Sequence, residues 1–82
     1  MSRKKPLLTN VLEELRVYKG GILLDKTVTI FVIEDDSERV IKSAKLKDIK
    51  PEEYKAYKVV HYYQLIFTPT IIEIYVEKEL EH

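Results

Sequence analysis

The fold of this chain is decided by residues 22–34, which read Ile22-Leu-Leu-Asp-Lys-Thr-Val-Thr-Ile-Phe-Val-Ile-Glu34. From residue 27 onward apolar side chains alternate between two faces, as they do along a β-strand. Val28, Ile30 and Val32 form one face, and the opposite face also contains Phe31 and Ile33. A strand that is apolar on both faces is typical of the middle of a sheet. We therefore expect a central strand over Ile22–Glu34.

A return strand is expected immediately after this one. Glu34-Asp35-Asp36-Ser37 has turn chemistry, because Asp and Ser side chains bond nearby backbone amides. Together with Glu38, these three acidic residues form a cluster that we interpret as a solvated hairpin tip, since it lacks the glycine and the distant glutamate of a calcium-binding loop. Residues 39–46 then fit a half-buried strand with Val40, Ala44 and Leu46 pointing inward. A short helix capped by Asp36 is the alternative.

Upstream, the spacing of apolar residues predicts an amphipathic helix over residues 8–19. The stripe falls at i, i+3, i+4 and i+7. Asn10 is positioned to cap this helix, with Glu13 completing a capping box, and Gly20-Gly21 can adopt the left-handed stop. A strand from residue 11 to residue 18 competes with this prediction. The residues of the stripe are Leu8, Val11, Leu12 and Leu15.

Downstream, the chain predicts a second short helix and two more strands. Pro51 followed by two glutamates is typical of a helix start, and we expect the helix to span Pro51–Lys58. Residues 59–67 then read as a strand, and Thr68-Pro69-Thr70 as a turn. The last strand is expected over residues 71–77.

These elements give the order α-β-β-α-β-β and an α+β fold. Short connections favour an antiparallel sheet of about four strands with two short helices on one face. We expect one domain over residues 1–79, with residues 1–6 as a basic polar arm. Residues 80–82, Leu-Glu-His, resemble the start of a polyhistidine tag and are expected to have no part in the fold or the function.

Composition argues against most catalytic classes. The chain has no cysteine, and phosphate-loop, dinucleotide, nucleophile-elbow and zinc motifs are missing. His61 is the one histidine before the tag-like end, and a strand histidine packed beside tyrosines is its simplest interpretation. We therefore expect a non-catalytic protein without cofactor or metal. The lack of cysteine and of a long apolar run favours a cytoplasmic protein without membrane contact.

Charge segregation supports one functional hypothesis, a single-stranded nucleic-acid-binding module. The net charge is +0, but residues 39–58 contain seven basic and three acidic side chains. Phosphates need cations and bases can stack on aromatic rings, so the Lys/Tyr-rich segment 39–63 could serve both. The neutral total gives no long-range attraction to a polyanion. The candidate contacts are Lys42, Lys45, Lys47, Lys50, Lys55, Lys58 and Tyr62.

Self-association, as a homodimer or as a subunit of an assembly, is the leading hypothesis. Two strands, 27–33 and 59–67, are apolar on both faces, whereas two short helices cover one face of a sheet. An uncovered apolar face normally marks an interaction surface, and a dimer would add core to a small chain. Which residues point outward depends on strand register. The candidate interface residues are Phe31, Ile33, Ile66 and Tyr75, with Tyr62 as a further candidate for the uncovered face.

Overall fold

The computed structural model describes residues 5–65 and 71–78. They form one α-helix, α1 (Leu8–Val17), and four strands, β1 (Thr27–Glu34), β2 (Ser37–Lys45), β3 (Tyr57–Leu65) and β4 (Ile71–Lys78). Short 3-10 helices at Tyr18–Gly20, Leu46–Asp48 and Pro51–Tyr54 join them. The prediction of a small α+β domain is confirmed, although the first strand begins at residue 27 rather than 22.

The four strands form one mixed sheet in the order β2-β1-β4-β3. β1 pairs with β2, and β3 with β4, in antiparallel fashion, while the central strands β1 and β4 run parallel. The expectation of a fully antiparallel sheet was therefore wrong. Residues 46–56 cross from one sheet edge to the other, so that β3 begins at the far edge and β4 returns to the centre beside β1. Hairpins fix antiparallel partners locally, but only this crossing segment decides how the hairpins meet.

The helix α1 packs on one face of the sheet, here called the inner face. Its four apolar residues, at positions 8, 11, 12 and 15, are buried, which confirms the helix and excludes the strand alternative. The helix begins at Leu8 without a side-chain cap, so the capping box predicted at Asn10 and Glu13 was wrong. Leu8 is 0% exposed, and its burial favours a helix that begins before Asn10, the residue best suited to cap it. Gly20 and Gly21 have φ of 76° and 92°, the predicted left-handed stop.

The second predicted helix is much shorter than expected. A 3-10 helix covers Pro51–Tyr54 only, and β3 already begins at Tyr57. Proline occupies the expected first position, but the following Tyr-Lys-Val-Val run pairs with β4 and bridges to Leu7, and this sheet pairing overrides the local helical tendency. The rest of the inner face is covered by the buried side chains of Leu46, Ile49 and Tyr54.

The hairpin between β1 and β2 forms as predicted, and the alternative helix capped by Asp36 is excluded. Its register shifts at a bulge, so that Ile30 faces Lys42 while Phe31 faces Val40. One extra residue reverses the faces of the residues beyond it. Ala44 and Leu46 point inward as expected, but Val40 lies on the other side of the sheet and is 51% exposed.

The core lies between α1, the 3-10 segments and the inner face of the sheet. At its centre, Ile30, Ile72 and Ile74 are each 0% exposed. Among the described residues no helix is both long and apolar enough to cross a bilayer.

Candidate functional site: the outer face of the sheet

The outer face is the side of the sheet that points away from α1. Residues paired across neighbouring strands share a face, and Phe31 on β1 pairs with Tyr75 on β4, which in turn faces His61 on β3. Tyr63 lies two residues further along β3, on the same side of the sheet. Together these four side chains form the aromatic cluster: Phe31, His61, Tyr63 and Tyr75.

The rings of the cluster contact one another. Phe31 and Tyr75 stack with centroids 4.7 Å apart and planes 10° apart. The His61 ring lies 4.8 Å from Tyr75 and 5.1 Å from Tyr63, and Tyr63 meets Tyr75 edge-on at 5.9 Å. The separation of 4.7 Å equals the spacing of neighbouring strands, which is ~4.7–4.9 Å. Phe31 and Tyr75 are therefore stacked along the sheet, and each covers a ring face of the other.

The cluster lies in a larger apolar area that nothing in the described chain covers. Tyr63 is 52% exposed and His61 is exposed, whereas Phe31 and Tyr75 are half-buried by their neighbours. Val40 continues the row across the strands beyond Phe31, and half-buried Ile33 and Ile71 lie on either side of this row, towards opposite ends of the sheet. Apolar rings and branched side chains thus extend across all four strands.

Charged side chains border this area. Glu73 lies beside Tyr63 in the strand register, and Glu38 faces Ile33 near one end of β2. Burial raises the pKa of Tyr75 above its ordinary value, and the carboxylates of Glu73 and Glu38 raise it further. These effects place both carboxylates near the cluster. Lys45 lies at the opposite end of β2, facing Thr27.

The predicted interface residues divide between the two faces of the sheet. Phe31, Ile33 and Tyr75 all lie on the outer face, and Ile66 falls outside the described residues. Tyr62 pairs with Ile74 and therefore belongs to the inner side, where it is 48% exposed on the edge strand.

Sequence reasoning missed His61 and Tyr63 as members of the surface. A bulge between Val59 and His61 shifts the register of β3, so that inner-facing Val59 is followed by outer-facing His61. Without the bulge, strict alternation from residue 59 would have placed residues 61 and 63 on the inner side, together with Val59. The sequence shows that this strand is rich in tyrosine, but it does not show the bulge that decides which face each side chain lies on.

The lysines expected to bind nucleic acid are not brought into one stripe. Lys42 and Lys45 lie on β2, at one edge of the sheet, whereas Lys58 and Tyr62 lie on β3, at the other. Lys47 pairs with Asp25 at 3.0 Å, and this contact lowers the pKa of Asp25 and raises that of Lys47. Two further lysines, Lys50 and Lys55, flank the 3-10 helix Pro51–Tyr54.

The acidic tip between β1 and β2 is held by local contacts. The guanidinium of Arg39 donates to Glu34 at 2.8 Å, and the Ser37 hydroxyl donates to the Glu34 carbonyl oxygen at 3.1 Å. Within the described ranges no group of three or more His, Cys, Asp or Glu side chains could hold a metal ion. The tip therefore has the contacts of a closed hairpin turn.

Comparisons with protein-family models, with curated proteins and with solved structures found no match for this chain.

Proposed function

We propose that this protein is a non-catalytic interaction module that self-associates through the outer face of its sheet. The observation that carries the proposal is the aromatic cluster of Phe31, His61, Tyr63 and Tyr75, which spans three strands on the face opposite α1. Exposed apolar patches rimmed by polar side chains mark interaction sites. Aromatic residues are also enriched in protein–protein interfaces.

The arrangement of the rings favours a protein partner over nucleobases. A base stacks on the open face of an aromatic ring, but the facing surfaces of Phe31 and Tyr75 already cover each other. Glu73 and Glu38 lie near Tyr75 and would repel phosphates. Ring edges and branched side chains, by contrast, are well suited to pack against another apolar sheet face.

The size of the face fits a modest homodimer. Four strands of about eight residues form a sheet of roughly 19 by 26 Å, or about 500 Å² per chain. Two such faces reach the ~1,000 Å² at which specific interfaces begin, and a dissociation constant in the micromolar range is expected. The face contains both acidic Glu38 and basic Lys45, so a second copy can meet it without net repulsion.

Two neighbouring tyrosines offer a matched test. Tyr63 and Tyr62 are 52% and 48% exposed, but they lie on opposite sides of β3. Sedimentation equilibrium at about 1 to 100 µM should show a dimer that Tyr63→Glu weakens by at least tenfold, because a carboxylate would then be desolvated against the partner. Tyr62→Glu should leave the dissociation constant within about threefold of the wild type.

Two outcomes contradict this proposal. A wild-type protein that remains monomeric throughout that range does not self-associate at a useful strength. Equal weakening by both tyrosine variants would mean that the outer face is not the contact.

The second proposal, binding of single-stranded nucleic acid, is supported by the position of β3 at an edge of the sheet. Lys58 and the exposed ring of Tyr62 both lie on this strand, on opposite faces of the sheet, because Lys58 pairs with Glu77 and Tyr62 with Ile74. Titration with an oligonucleotide at low and moderate salt tests it, since phosphate contacts weaken steeply with salt. Binding that Lys55→Ala and Lys58→Ala leave unchanged would exclude this site, and no binding at low salt would exclude the proposal.

A further inference from the structure

Two oppositely charged side chains lie at the two ends of β2 on the outer face. Lys45 faces Thr27 and Glu38 faces Ile33, which places them on the side of the aromatic cluster. Seven residues apart, they are separated by roughly 23 Å along the strand. Within residues 5–65 and 71–78, neither of them takes part in an ion pair. The charge of Lys45 lowers the pKa of Asp25, on the loop before β1, but less than Lys47 does.

Two other acidic side chains lie on this face, and one of them, Glu73, lies between Thr29 and Tyr63 in the strand register. Glu77 accepts from the Lys5 ammonium at 2.9 Å and faces Lys58 in the strand register. On the outer side of the edge strand β2, Lys45 and Glu38 are the two charges without an ion pair among the described residues. A second copy that satisfies both at once would be held in one orientation.

Two sheets that pack face to face about a two-fold axis can do so in two simple ways. With the axis along the strands, β2 lies over the partner's β3, and Glu38 meets a lysine, Lys58, that already faces Glu77. Lys45 then lies over the far end of the partner's β3, with no acidic register position there. With the axis across the strands, β2 lies over the partner's β2 in reverse, and Lys45 meets the partner's Glu38 twice.

We infer that the homodimer forms about a two-fold axis that runs across the strands, with Lys45 of each copy opposite Glu38 of the other. This inference rests on the proposed function, because it specifies the geometry of that same contact. The two symmetric ion pairs at the rim fix orientation, whereas the aromatic cluster between them supplies the apolar contact. The same arrangement disfavours a copy that approaches in the other orientation, which leaves Lys45 without a partner.

Charge reversal tests this geometry. Lys45→Glu and Glu38→Lys should each weaken the dimer by about tenfold, because each places like charges together twice. The double variant Lys45→Glu/Glu38→Lys should recover the wild-type dissociation constant to within about threefold. Both side chains are exposed, so the melting temperature of the dilute monomer serves as the folding control.

Disulfide trapping gives an independent readout, since the chain has no cysteine of its own. A mixture of Lys45→Cys and Glu38→Cys chains should form a cross-linked dimer under mild oxidation, and neither variant alone should do so efficiently. If cross-linking is instead fastest for Lys45→Cys alone, or the double reversal fails to recover the dimer, the axis is wrong. A monomeric wild type would refute the proposed function itself, whereas a dimer that is insensitive to both reversals would refute only this orientation.

Discussion

A disulfide between Thr29 and Ser43 would test the strand register on which the outer face depends. These residues face each other across β1 and β2, and their side-chain oxygens lie 3.2 Å apart. Sulfurs at these positions need to approach to ~2.05 Å, which a small change of rotamer allows. Because the chain contains no cysteine, the pair Thr29→Cys/Ser43→Cys has no competing partner within the molecule.

The expected magnitude follows from the length of the closed loop. Linking residues 29 and 43 encloses about 15 residues, for which the loss of unfolded-state entropy is worth about 3 kcal/mol in the absence of strain. For a domain of this size, that corresponds to a rise in melting temperature of about 12 to 24 °C. The comparison is between the oxidised and reduced forms of the same variant, followed by circular dichroism at low micromolar concentration.

A matched control makes the test specific to the bulge in β2. With an uninterrupted register from the Phe31–Val40 pair, Thr29 would face Lys42 rather than Ser43. Thr29→Cys/Lys42→Cys should therefore form no stabilising link. Rapid oxidation of this control, together with an unstable Thr29–Ser43 link, would mean that the bulge is absent. In that case Val40 would still face Phe31, but Lys45 would lie on the inner face of the sheet instead of the outer face.

Three further predictions concern stability. Ile74→Ala should reduce the free energy of unfolding by about 2 to 5 kcal/mol in urea denaturation, because Ile74 is 0% exposed on a central strand; a loss below about 1 kcal/mol would contradict this packing. Gly21→Ala should destabilise the protein by about 1 kcal/mol or more, since φ is 92° and the new Cβ would lie 3.1 Å from the Leu24 Cδ1 atom; an unchanged melting temperature would argue against the left-handed stop. Burial raises the pKa of Tyr54 above its ordinary value of 10.0, and the charges of Glu53 and Tyr57 raise it further. The contribution of Tyr54 to stability is therefore complete below pH 10.0 and is lost as the pH rises through the folded pKa. Tyr54→Phe should flatten this alkaline decline in stability measured from pH 8 to 11, and an equally steep decline would assign it to other groups.

Much of the candidate site was visible in the sequence, but not its full membership. Phe31, Ile33 and Tyr75 could be predicted because each alternates along its strand with strongly apolar residues that were expected to face the core. His61 and Tyr63 could not be assigned to a face, because a bulge interrupts their strand. A bulge depends on how two strands pair, so the periodicity of a single strand does not predict it.

The sequence by itself predicted a helix over residues 8–19, which ends at Val17 in the structure, the approximate positions of four strands, the hairpin at Asp35-Asp36 and the glycine stop after α1. Each of these follows from local physics, namely side-chain periodicity and the backbone freedom of particular residues. Only the tertiary structure decided that β4 runs parallel to β1, that Pro51–Tyr54 forms a single short turn, and which aromatic rings meet on the outer face. Those features result from contacts between residues far apart in the chain, where the burial of one strand's apolar face depends on which other strand lies beside it.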